Sequence, residues 1–113
     1  MNKIQKDAVI KEFEKFLTVR FDTFHKEIVF TKLVNTERTY RADYYCQAQS
    51  IIIEINGGQW TGGRHTRAGK VKGKPYTQYE NDLNKINLAQ INGFKVYQFT
   101  YEIIARKEYL NIN

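Results

Sequence analysis

The alternation of apolar and polar positions divides the chain into seven elements. From Lys3 to Leu17 the apolar residues recur at helical spacing, with Val9, Ile10, Phe13, Phe16 and Leu17 along one face. This predicts an amphipathic helix, with Glu12 and Glu14 at opposite margins of the apolar stripe. Val19 to His25 has no clear period and reads as the crossing to a sheet. Glu27–Val34 alternates as a first strand, Ile28, Phe30 and Lys32 against Val29, Thr31 and Leu33, and Asn35-Thr36-Glu37 supplies turn residues. Thr39–Cys46 and Ile51–Ile55 come next as the second and third strands. Three strands joined by short turns predict an antiparallel meander. Gln78–Ile91 reads as a second helix, with Leu83, Ile86, Asn87 and Ala89–Ile91 on its inward stripe and Asn92-Gly93 as its stop. Phe94–Thr100 alternates as a fourth strand. Tyr101–Asn111 closes the chain as a helix that turns Ile103, Ile104 and Leu110 inward. The order α-β-β-β-α-β-α describes a small α/β domain with a sheet flanked by helices.

The second and third strands carry the first sign of chemistry. A turn centred on Ala48-Gln49 sets Cys46 against Ile51, Tyr44 against Ile53 and Ala42 against Ile55, which makes one apolar face. The opposite face then places Asp43 beside Glu54. Like charges directly opposed across strands are destabilising, so a fold that keeps this pair needs a cation between them, and a hard divalent ion suits two carboxylates. A register shifted by one residue, or carboxylates that face water, fits the spacing equally well.

Gly57 to Pro75 then interrupts the pattern with six of the seven glycines and the only proline. Long irregular segments inside compact domains tend to be functional or mobile. This one carries Arg64, Arg67, Lys70, Lys72 and Lys74 with no acidic residue among them. It is either a solvated loop or a surface for a polyanion. Trp60 within it serves as a plug against the core or as a stacking platform for a base.

Composition narrows the class. The 113 residues suit one domain with a modest core. The net charge of +6 and a sequence pI near 9.4 favour a polyanionic partner, nucleic acid first. No apolar run approaches the length of a membrane span, so no membrane partner is expected. MNKIQKDAVIKEF lacks the apolar stretch of a signal peptide, and the single cysteine, Cys46, cannot form an intrachain disulfide. Both point to a cytoplasmic location. One cysteine and two histidines, His25 and His65, are too few for most structural zinc sites.

The ordered set of motifs resembles the PD-(D/E)XK nuclease superfamily. It is most similar to a phage and bacterial group related to virus-type replication-repair nucleases, very-short-patch repair endonucleases and Holliday-junction resolvases. The residues that carry the likeness are Arg41-Ala42-Asp43, Glu54-Ile55-Asn56-Gly57-Gly58 and Gly63-Arg64-His65-Thr66. Asp82-Leu83-Asn84-Lys85-Ile86-Asn87-Leu88-Ala89 and Gly93-Phe94-Lys95-Val96 complete it. The pieces occur in order, on matching element types, over about three quarters of the chain. No single piece is specific; the ordered set is more so. The resemblance implies a restriction-endonuclease-like core with a mixed sheet.

The resemblance also implies roles. Asp43, Glu54 and the backbone carbonyl of Ile55 would hold Mg²⁺, with Mn²⁺ as a substitute, and Glu12 would complete the metal site, with Glu14 and Glu27 as fallbacks. The metal would acidify a water for attack on a phosphodiester. Asn56 stands where the group commonly has Lys, Gln or Glu, and it cannot supply a charge. Lys85 on the second helix is the candidate replacement; Gln78, Asp82 and Asn87 are further candidates on its face. His65 would orient the water or protonate the leaving oxygen, while Arg41, Arg64, Arg67, Lys70, Lys72 and Lys74 would grip the DNA backbone. The implied activity is a Mg²⁺-dependent endonuclease on branched or duplex DNA. A Holliday-junction resolvase, which requires a homodimer to cut two strands together, is the favoured subtype. A DNA-binding module without turnover, and a nicking repair or restriction-type enzyme, are the alternatives.

Overall fold

The computed structural model describes residues 1–56 and 72–112. Among them, helix α1 (Lys3–Phe21) is followed by strands β1 (His25–Val29), β2 (Arg41–Cys46) and β3 (Ile51–Ile55). Helix α2 (Gln78–Ile91), strand β4 (Lys95–Phe99) and the short helix α3 (Tyr101–Ala105) complete the order. The strands form one mixed sheet in the order β1-β2-β3-β4. β1, β2 and β3 pair antiparallel, and β4 runs parallel to β3, a pairing that requires a crossover connection, to which α2 contributes.

Two apolar layers sandwich the sheet. On one side, Phe13, Leu17 and Phe21 of α1 pack with Tyr44, Cys46, Ile51, Ile53, Phe99 and Ile104. On the other, Ala89 of α2 packs with Ile52, Ala42, Phe30, Val34 and Tyr40. The three consecutive isoleucines Ile51–Ile53 are buried on both faces, as befits a central strand. Each long helix opens on a capping box, Asn2 with Gln5 and Thr77 with Glu80, which satisfies amide donors that the first turn leaves without partners. Gly93, at φ 90°, reverses the chain from α2 into β4, a backbone state that favours glycine. No helix among the described residues is long and apolar enough to cross a membrane.

β3 and α2 have the bounds their patterns predict, and the β2–β3 register places Cys46 against Ile51 and Tyr44 against Ile53 as expected. Several expectations are corrected. α1 runs four residues further, because Phe21 continues the Phe13–Leu17 stripe at i+4. The first strand is His25–Val29, not Glu27–Val34. Phe30 leaves the ladder in a 3-10 turn whose carbonyl accepts from the amides of Leu33 and Val34, and Phe30 and Val34 both enter the α2-side core. The second strand starts at Arg41 rather than Thr39. Leu83 and Ile91 of α2 are exposed, and Ala89 is its buried residue. α3 ends at Ala105; Lys107 at φ 59° shifts the phase of the residues after it, so Tyr109 and Ile112 turn inward and Leu110 outward.

The α1-side core centres on Phe13, fully buried, with its ring edge-on to Tyr44, Phe99 and Tyr109. Truncation there removes contacts to β2, β4 and the C-terminal turn at once. In urea titrations Phe13→Ala is expected to lose about 4 kcal/mol, while Ile91→Ser, at an exposed position, changes stability by less than about 0.5 kcal/mol.

Candidate active site

The site forms where the β2–β3 ladder ends. The register that pairs Tyr44 with Ile53 brings Asp43 opposite Glu54, and the β1–β2 register brings Glu27 opposite Asp43. Three acidic residues thus line up across three strands. The row does not behave as a regular ladder. The Asp43 amide donates to Glu54 Oε2 (2.9 Å), and the Ile55 amide donates to Asp43 Oδ2 (2.7 Å). Each carboxylate accepts from the main chain of the other strand. Glu27 sits at φ 53°, a strained state for a side-chain-bearing residue. The irregularity also breaks the expected apolar face: Ala42 joins the α2-side core, while Ile55 packs against the α1-side core instead of opposing it.

Glu54 faces α2 and is the only buried charged residue among those described. Lys85 reaches it from the second turn of α2 and binds Glu54 Oε1, with its ammonium 5.9 Å from the centre of the Phe30 ring. Burial pushes the Glu54 carboxyl up; Lys85 and the Asp43 amide draw it back without cancelling the rise, and the Asp43 charge adds to it. The cation that makes the carboxylate row tolerable here is therefore the lysine.

Asp43 lies on the other side of the opened ladder. It lines a cleft of about 550 Å³ between α1 and the β1–β2 edge, together with Glu14 and Glu27 and with Lys6, Lys11 and Lys26. Glu14 is held in place: Tyr44 Oη donates to its Oε2 (2.6 Å), and Lys26 Nζ lies 2.9 Å from the same oxygen. Burial raises the Glu14 carboxyl, but the Tyr44 hydroxyl and Lys26 outweigh it and hold it below its ordinary value. Tyr44 is pushed well above its usual range by burial and by the Glu14 charge.

Glu12 is not part of this site. It pairs with Lys107 (2.8 Å) on the far flank of α1, because the two-residue step from Glu12 to Glu14 turns a helix by about 200°. The acidic residues of α1 and β1 that share the cleft with Asp43 are Asp7, which pairs with Lys3, and Glu14 and Glu27. Asn56, also a candidate, donates its side-chain amide to Gln98 of β4 (2.9 Å), and its main-chain amide bonds Phe99. Gln78 and Asp82 bond one another one turn before Lys85 (2.9 Å), whereas Asn87 lies on a separate groove of α2. Arg41, Lys72 and Lys74 are exposed. Trp60, Arg64, His65, Arg67 and Lys70 lie outside the described residues.

Lys26, Tyr44 and Gln98 are site neighbours that sequence periodicity does not reveal. The β1–β2 register, which sets Lys26 against Tyr44, is what brings the first two to Glu14. No three His, Cys, Asp or Glu side chains among the described residues converge as an enclosing metal cage. Two carboxylates and a main-chain carbonyl nevertheless suit Mg²⁺, which takes one or two carboxylates and keeps several waters. Asp43 Oδ1 has no hydrogen-bond partner among the described residues and is available to such an ion.

Comparison of the chain with models of known families, with curated proteins and with solved structures returned no match.

These contacts set two expected outcomes. Lys85→Met leaves Glu54 buried without its cation and is expected to destabilise the fold by about 3 kcal/mol at neutral pH; adding Glu54→Gln recovers most of that loss, read by urea unfolding. Glu14 has a folded-state value below its unfolded one, so its stabilisation is present above pH 4.5 and fades as the pH falls through the lowered value. Glu14→Gln should therefore melt below the parent at pH 7, with the gap closing under acid conditions.

Proposed function

We propose that the chain is a Mg²⁺-dependent endodeoxyribonuclease that hydrolyses phosphodiester bonds. The observation that carries the reading is the arrangement of Asp43 and Glu54, on adjacent strands at an opened sheet end, with Lys85 on Glu54. It joins an oxygen-donor pair to a lysine from a third element, which is the constellation the motif order implies. A divalent ion held by Asp43 and the Ile55 carbonyl, and by Glu54 once that carboxylate leaves Lys85 and turns toward Asp43, would supply Lewis acidity toward the phosphate and a water of lowered pKa. Lys85 is placed to neutralise Glu54 or, once displaced from it, to hold a water or a phosphate oxygen. Lys6, Lys11 and Lys26 line the adjoining cleft and would meet the anionic backbone. Glu14, held by Tyr44 and Lys26, is the α1 residue best placed to complete the acidic set.

The favoured substrate is branched DNA, a Holliday junction above all, cut by a homodimer; this rests on the motif resemblance. A second reading, a DNA-binding module of the same fold without turnover, draws support from Asn56. That residue carries no charge, and its amide is engaged by Gln98.

The two readings separate in a cleavage assay on duplex, single-stranded, flap and four-way-junction DNA with Mg²⁺, Mn²⁺ or EDTA. Metal-dependent, symmetric cuts at the junction are expected, and Asp43→Ala should abolish them while gel shifts persist. An Asp43→Ala variant that cuts like the parent would sink the assignment. Binding without any cutting by the parent would favour the module.

A further inference from the structure

A second groove of about 430 Å³ lies on the flank of α2, away from the acidic cleft. Its chemistry differs from that of the proposed active site. Arg38, from the irregular segment before β2, lies with its guanidinium 4.7 Å from the centre of the Tyr40 ring and 4.9 Å from that of Tyr76. It donates to Asn81 Oδ1. No carboxylate among the described residues pairs with Arg38, and the one acidic residue on the groove, Glu80, is turned into the helix cap, where its Oε1 accepts from Thr77. A half-buried guanidinium held by two rings therefore presents an uncompensated charge and spare N–H donors to the groove, which suits a phosphate.

The groove wall is equally particular. Asn81, Asn84 and Asn87 succeed one another at three-residue spacing along one side of α2. Arginine only donates, so its bond fixes the Asn81 oxygen and leaves the Asn81 amide as a donor toward the groove. Asn84 gives its amide to Tyr40 Oη (2.7 Å), which leaves its oxygen as an acceptor. Asn87 is exposed, and no hydrogen bond within the described residues engages its side chain. Tyr76 and Leu83 add an aromatic and an aliphatic surface. Paired amide donors and acceptors beside a flat ring match the edge and face of a nucleobase.

We infer that this groove is a nucleobase subsite that takes one unpaired base of a nucleic-acid strand, packed against Tyr76 and Leu83 and bonded by the asparagine row, with an adjoining phosphate on Arg38. The inference rests on the proposed function only in taking nucleic acid as the ligand. It adds a place where an unpaired base is held. Asn81 precedes Lys85 by four residues on the same helix, a rise of about 6 Å, so a strand in the groove passes close to Lys85. Preference for DNA with an unpaired base, such as a flap or a bulge, over fully paired DNA then has a physical source, since a fully paired strand has no free base to place there.

The test measures binding alone, in EDTA, so a protein that never cuts DNA still gives a clear answer. Fluorescence anisotropy compares a duplex with one bulged adenine against the same duplex with an abasic bulge. The parent is expected to bind the adenine bulge about tenfold more tightly. Asn87→Ala, at an exposed position remote from both cores, should lose most of that preference; Tyr76→Ala should lose it and Tyr76→Phe retain it. Equal binding of the two duplexes by the parent, or a preference that survives in Asn87→Ala and Tyr76→Ala alike, overturns the inference. Free adenosine monophosphate that competes as strongly as the bulged duplex overturns the strand-bound assignment in favour of a free-nucleotide site.

Discussion

The reciprocal bonding of Asp43 and Glu54 to the main chain of each other's strand is the constraint on which the candidate site depends. Each carboxylate satisfies an amide that a regular ladder would have satisfied with a carbonyl. Beyond Tyr44 and Ile53, β2 and β3 are joined by side chains rather than by the sheet. The strands can therefore part there without leaving buried donors unmet. That opening lets Glu54 face α2 while Asp43 faces the cleft beside α1, so that one row of residues serves both sides of the sheet.

Charge balance is set by the same geometry. Glu54 is buried and carries the cost of desolvation, which Lys85 offsets in part. Asp43 and Glu27 lie on the cleft side, where Lys6, Lys11 and Lys26 keep the local charge mixed. Glu14 is fixed by a buried tyrosine and a strand lysine, a second carboxylate anchored by groups from other elements. Glu54 and Glu14 are thus held by groups from other elements, while Asp43 is half-buried and keeps one oxygen toward the cleft. In the proposed enzyme, an arriving divalent ion would compete with Lys85 for Glu54, which couples metal occupancy to the position of the lysine on α2.

The two faces of the molecule divide the proposed work. The α1 side offers a cleft of mixed charge beside Asp43, and the α2 side offers a groove of amides, an aromatic ring and an arginine without a carboxylate partner among the described residues. Lys85 belongs to the helix that bounds the second and binds Glu54, whose strand neighbour Asp43 lines the first. A nucleic-acid strand that touches both would pass across the sheet end where β2 and β3 separate.

The elements of the chain were legible in its sequence because burial imposes a period of 2 on strands and 3.6 on helices. α2 and β3 kept their predicted bounds, and the β2–β3 register that brings Asp43 opposite Glu54 was one that the apolar pattern allowed beside a register shifted by one residue. Lys85 was legible as well, one turn from Asp82 on the face turned to the sheet. Periodicity failed where the backbone left regular geometry: at Glu27, at Phe30 and at Lys107, where a single unusual φ or a 3-10 turn shifts the phase of every later residue in the element. It failed also at the choice among Glu12, Glu14 and Glu27, since a helical wheel places residues around an axis and does not say which side meets a strand edge. The contacts of Glu14 with Lys26 and Tyr44, of Asn56 with Gln98, and of Arg38 with Tyr40, Tyr76 and Asn81 join residues from separate elements. Only tertiary packing decided them, because pairings between distant segments depend on how the layers are stacked, whereas the period within each segment depends on its own residues.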